Sequence, residues 1–125
     1  MAWKIDVLKS EGIVRVVLLG YLNLENASKL VLELLYHANE IGINNFLVDL
    51  RAVHVKATNI EIYWSPTLFA ELGLTRNKRV ALIPPVTPNS AEKVSFYETV
   101  SQNSGYLVRI FQEHHSAQEW LMNGC

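Results

Sequence analysis

Cysteine is nearly absent: there is one among 125 residues, and it is the last, Cys125. That excludes an intramolecular disulfide framework and a CxxC metal or redox site, and an intracellular, reducing compartment is expected. An excess of either charge is missing too. Eleven Lys and Arg stand against twelve Asp and Glu, a formal net charge of −1, so the chain lacks the electrostatic footprint of a nucleic-acid or anionic-membrane binder. No apolar run approaches the ~18 residues of a membrane span. The opening MAWKIDVLKSEG has no signal-peptide core, and a soluble, cytoplasmic protein is expected. Neither GxGxxG nor GxxxxGKS/T occurs, which excludes the usual dinucleotide and P-loop sites. No Ser or Cys in a nucleophile setting accompanies the histidines, so no catalytic group, metal ligand set or cofactor is assigned and no enzyme is expected.

What is present is an apolar chain. Half of the residues are hydrophobic, enough for a core in a single domain spanning 1–125. WKIDVLK and GIVRVVLLG, separated by Ser10, Glu11 and Gly12, read as an antiparallel hairpin whose first strand lies near a sheet edge. Leu30, Val31, Leu34, Leu35, Ala38 and Ile41 recur at helical spacing, with Asn23 as N-cap and Gly42 as the stop. NFLVDL and RVALI are apolar on both faces, as strands sandwiched by helices are; YLVRIF follows in the same style. Thr87-Pro88 starts a further helix with Ala91, Val94, Tyr97 and Val100 inward, and Ser116 with Glu119 forms a capping box for the last one. The order β-β-α-β-α-β-α-β-α predicts an α/β fold, a five-stranded mixed sheet with four helices, most of them on one face.

This order, with VDLR at 48–51, RVALIPP at 79–85 and the tail FYETVSQNSGYLVRIFQEHHSAQEWL at 96–121, resembles the STAS domains, in particular the sporulation anti-sigma-factor antagonists, and also resembles the CRAL-TRIO lipid-binding fold. The resemblance covers nearly the whole chain. It implies a non-enzymatic protein-protein interaction or regulatory module of bacterial type; the alternative it implies is a small apolar ligand or lipid carrier. In the switchable antagonists an Asp-Ser-Ser-Gly loop carries the phosphorylated serine. Aligning VDL with the preceding strand puts Ala57, Thr58, Asn59 and Ile60 at those four positions. Thr58 then stands for the phosphoserine, while the aspartate and glycine are replaced, and no phosphorylation is expected.

Thr58 and Glu61 also form Thr-x-x-Glu, a capping box that needs no kinase. Thr58 is therefore a candidate phosphosite or helix cap, at the start of a candidate interaction surface made of Asp49, Arg51, His54, Thr58, Asn59, Tyr63 and Trp64. Asp49 and Arg51 are placed at the carboxyl edge of a central strand, and His54 in the loop that runs from Arg51 to Asn59. Ser65-Pro66 predicts a kink or a restart of the helix. Of Tyr63, Trp64 and Phe69, at least two are expected in the core. His114 and His115 read as a solvated turn, and Arg76, Lys78 and Arg79 as a solvated basic loop. An unidentified protein partner, or a second copy in a homodimer, is expected.

Overall fold

Alternation of small apolar side chains builds the sheet. In the computed structural model, which describes residues 1–123 and so not Cys125, strands β1 (Ala2–Leu8) and β2 (Ile13–Leu22) pair antiparallel, Leu8 opposite Ile13 and Ala2 opposite Leu19. Helix α1 (Leu24–Ile41) follows. The Asn23 side chain accepts from the Asn26 N–H at its start, and Gly42 at φ 71 ends it in the left-handed conformation that glycine adopts without steric cost. Then come β3 (Asn45–Val55), α2 (Asn59–Glu71), β4 (Arg79–Ile83), α3 (Pro88–Asn103), β5 (Leu107–Ile110) and α4 (His114–Asn123). The strand order is β1-β2-β3-β4-β5, with every pair after the hairpin parallel.

Sequential parallel strands with right-handed crossovers place all their connecting helices on one face. Accordingly α1, α2 and α3 share a face, where Val14, Val16, Leu18, Phe46, Val48 and Leu82 meet Leu34, Leu35 and Val94. Helix α4 lies across the other face, packing Ala117 and Leu121 on Ile13, Leu47, Ala81 and Ile83. It covers β3, β4 and the first residue of β2. Val17, Leu19 and Tyr21 of β2, which point the same way, stay exposed.

Several local expectations are corrected. The third strand does not stop at Leu50 but reaches Val55, and the loop before α2 is only Lys56 to Thr58. Register explains this. Val17 pairs with Asp49 and Leu19 with Ala52, so Leu50 and Arg51 together face Leu18 as a bulge. The extra residue flips parity: Phe46, Val48 and Leu50 point to the three-helix face before it, and Val53 after it. Asp49 and Arg51 thus lie in mid-strand, and His54 is on a strand.

Helix α2 does not restart at Pro66 but runs unbroken from Asn59 to Glu71. A proline at 66 removes the N–H that would bond the Ile62 carbonyl; the Ser65 hydroxyl donates to that carbonyl instead, at 2.8 Å. Helix α4 begins at His114, not at Ser116, and Glu119 contacts His115 rather than closing a capping box. The basic loop is not free in solvent. Lys78 is buried with its ammonium on Asn44, Arg76 stacks on Tyr106 and donates to the Ser104 carbonyl, and Arg79 lies over Trp120.

Candidate functional site

Two clusters carry polar or open chemistry, and the sheet stands between them. On the α4 face, Asp49 is 3% exposed. Its carboxylate accepts from the Arg51 backbone N–H at 3.1 Å and from Nε and Nη2 of the same guanidinium, and His114 Nε2 lies 3.3 Å away. The bulge makes this possible, since it frees the Arg51 N–H from the ladder and turns its side chain back along the strand. Burial pushes the Asp49 carboxyl up; the hydrogen bonds and charge of Arg51, with His114, outweigh it and hold the group below its ordinary value. His114 and His115 are therefore not a solvated turn but the first turn of α4, with His114 docked on a buried carboxylate. Farther along the strand, His54 stacks on Tyr21 with centroids 5.5 Å apart, and Lys56 lies over the same ring.

On the three-helix face, Thr58 closes the capping box expected of it. Its hydroxyl accepts from the Glu61 N–H at 3.2 Å, and the Glu61 carboxylate accepts from the Thr58 N–H at 2.8 Å. Such a cap contributes about 1 kcal/mol. Only one of the three aromatics of α2 is in the core. Phe69 is buried, while Tyr63 and Trp64, in edge-to-face contact with each other, are more than half exposed beside Ile60. The seven candidate surface residues are thus not one patch. Thr58, Asn59, Tyr63 and Trp64 lie on α2, and Asp49, Arg51 and His54 belong to the opposite side of the sheet.

Beneath α2 the packing is incomplete. A cavity of about 150 Å³ lies between the sheet and the three helices. Phe46, Val48 and Leu82 form its floor, Leu34 and Val94 its walls, and Ile62 and Phe69 of α2 its roof. At the carboxyl end of β2 and β3 its rim is made by Leu22, Asn23, Ala57 and Lys93. Tyr97 also lines it, with a phenol that burial pushes up to about 12 and that stays neutral at ordinary pH. The sequence held no direct signal of this space; the nearest was α2 itself, apolar on more sides than one packed face needs. Lys93 and His114 were missed because their partners, Ala57 and Asp49, are distant in the chain. Among the described residues no group of three or more His, Cys, Asp or Glu is placed to hold a metal ion, and no helix is long and apolar enough to cross a membrane.

No protein-family model matches the chain, and no curated protein matches it either. Among solved structures it is similar to an uncharacterised protein of the DUF3478 family with a SpoIIAA-like fold from Shewanella loihica PV-4, with a TM-score of 0.60 and 19% identity over 96% of this chain and 92% of that one. The chain has this SpoIIAA-like, STAS-like fold, as the order of its elements suggested.

Proposed function

We propose that the protein is a non-enzymatic binding module that takes up a small apolar molecule in the cavity under α2. The observation that carries this reading is the cavity itself. Protein cores hold few voids larger than a water molecule, and this apolar space of about 150 Å³, open at its rim, exposes apolar surface whose burial by an occupant is favourable by about 25 cal/mol per Å². An apolar space of this size accepts a benzene-sized group. Toluene should therefore raise the melting temperature of the purified protein in a saturable way, by about 2.7 kcal/mol of added stability at one hundred times its dissociation constant. Ala27→Leu, which projects three more carbons into the lining, should abolish the effect while keeping the fold. Absence of any shift with toluene in the unaltered protein would remove the reading.

A second reading rests on a different observation, the exposed outer face of α2. Ile60, Tyr63 and Trp64 form an apolar, aromatic stripe of the composition that dominates protein interfaces. In this reading the helix contacts a protein partner or a second copy of the chain, in keeping with the regulatory fold. Trp64→Glu should weaken that association with little loss of stability, because the ring is more than half exposed. Sedimentation velocity at micromolar concentration checks the homodimer: a dimer that the substitution dissociates supports it, and a monomer before and after excludes it.

A further inference from the structure

We propose that the molecule taken up in the cavity is a monocarboxylate, with its apolar part under α2 and its anionic head on Lys93. This inference rests on the cavity reading and adds the chemical class of the ligand. Lys93 is the one charged side chain among the residues that line the space, all the others being apolar or neutral. It is half-buried, and its ammonium donates to the Ala57 carbonyl at 2.6 Å. That carbonyl takes one of three N–H donors. Among the described residues no carboxylate lies within ion-pair distance of Lys93, although exposed lysines such as Lys29 have found one.

A half-buried ammonium with two N–H donors beyond the Ala57 carbonyl, beside an apolar space, offers an anion both a charge and hydrogen bonds. The remaining rim does not supply one. Asn23, the other polar side chain there, is neutral and committed to the cap of α1. Both the charge and the free donors of Lys93 are met by a carboxylate, which accepts such bonds at roughly twice the strength of a neutral group. The apolar part is limited by the volume to about six carbons, an aromatic ring or a short chain. A phospholipid with two long chains is excluded by the same limit.

The test compares isosteric pairs by isothermal titration calorimetry, phenylacetate with phenylacetamide and hexanoate with hexanamide. Each carboxylate should bind roughly tenfold tighter than its amide. In Lys93→Met that preference should vanish, the amide affinities staying within about twofold of the original protein. Lys93→Gln, which can still donate to the Ala57 carbonyl, gives the same reading if the methionine variant loosens the fold. Equal binding of acid and amide by the unaltered protein would overturn the anionic head and leave the cavity reading standing, as would a preference that survives in both variants. No binding of any of the four compounds would overturn the inference together with the reading it rests on.

Discussion

Replacing Asp49 with asparagine is expected to lower stability by about 2–3 kcal/mol at neutral pH, with a loss that shrinks as the pH falls. The carboxylate is almost wholly buried and holds the Arg51 backbone N–H, the Arg51 guanidinium and His114 at once. An asparagine has the same shape and one acceptor oxygen, so it can keep one of these partners and must leave the others in a weaker arrangement. Arg51 is well exposed and can be rehydrated, which keeps the cost below that of a stranded, fully buried charge. The direction with pH follows from the depressed carboxyl. Burial opposes ionisation, Arg51 and His114 together favour it more, and the folded value lies below the ordinary 3.8. The stabilisation is complete above the unfolded value of about 3.9 and is lost as the pH drops through the folded one. Urea unfolding of both proteins at pH 7, 5 and 3 reads the gap between them. A gap as wide at pH 3 as at pH 7 would mean that the ionisation of Asp49 contributes nothing to stability.

That cluster also marks where the sequence was legible and where it was not. Local signals carried through. Asn23 and Gly42 bound α1, Thr58 and Glu61 close the box at α2, and Thr87-Pro88 opens α3, because each depends on side chains within four residues of the backbone they serve. The bulge in β3 was written in the spacing of Val48, Leu50, Val53 and Val55, whose change from even to odd numbers marks an inserted residue. Reading the polar Arg51 and His54 as loop residues concealed it. The strand is polar there because α4 covers only part of its face. Pro66 misled for a chemical reason: the hydroxyl one residue earlier supplies the hydrogen bond that the proline removes. The link from Asp49 to His114 joins positions 65 apart in the chain, and nothing local to either residue announces it. The cavity is less legible still. Its lining residues are individually ordinary core formers, and the space arises from how three helices seat on a twisted sheet.

The largest single effect is expected at Phe69. Phe69→Ala should cost about 3–5 kcal/mol, on the order of 10 °C or more in melting temperature for a chain of this length. The ring is buried between α2 and α3, edge-on to Tyr97 at 6.1 Å between centroids, and forms part of the cavity roof. Truncation there does not create an isolated void but joins the volume of the lost ring to the 150 Å³ already present. The floor cannot rise into it easily, since Phe46 and Val48 are held by the sheet. Leu121→Ala removes a comparably buried side chain on the other face, packed among Leu47, Ala81 and Ile83, at a cost of about 2–5 kcal/mol. The two variants should part in their response to ligand. Naphthalene, too large for the original cavity, should raise the melting temperature of Phe69→Ala by several degrees more than that of the unaltered protein or of Leu121→Ala, whose new void is only leucine-sized. Equal shifts in all three proteins would show that the space under α2 closes when its roof is removed, and that the helix rests on a packed core.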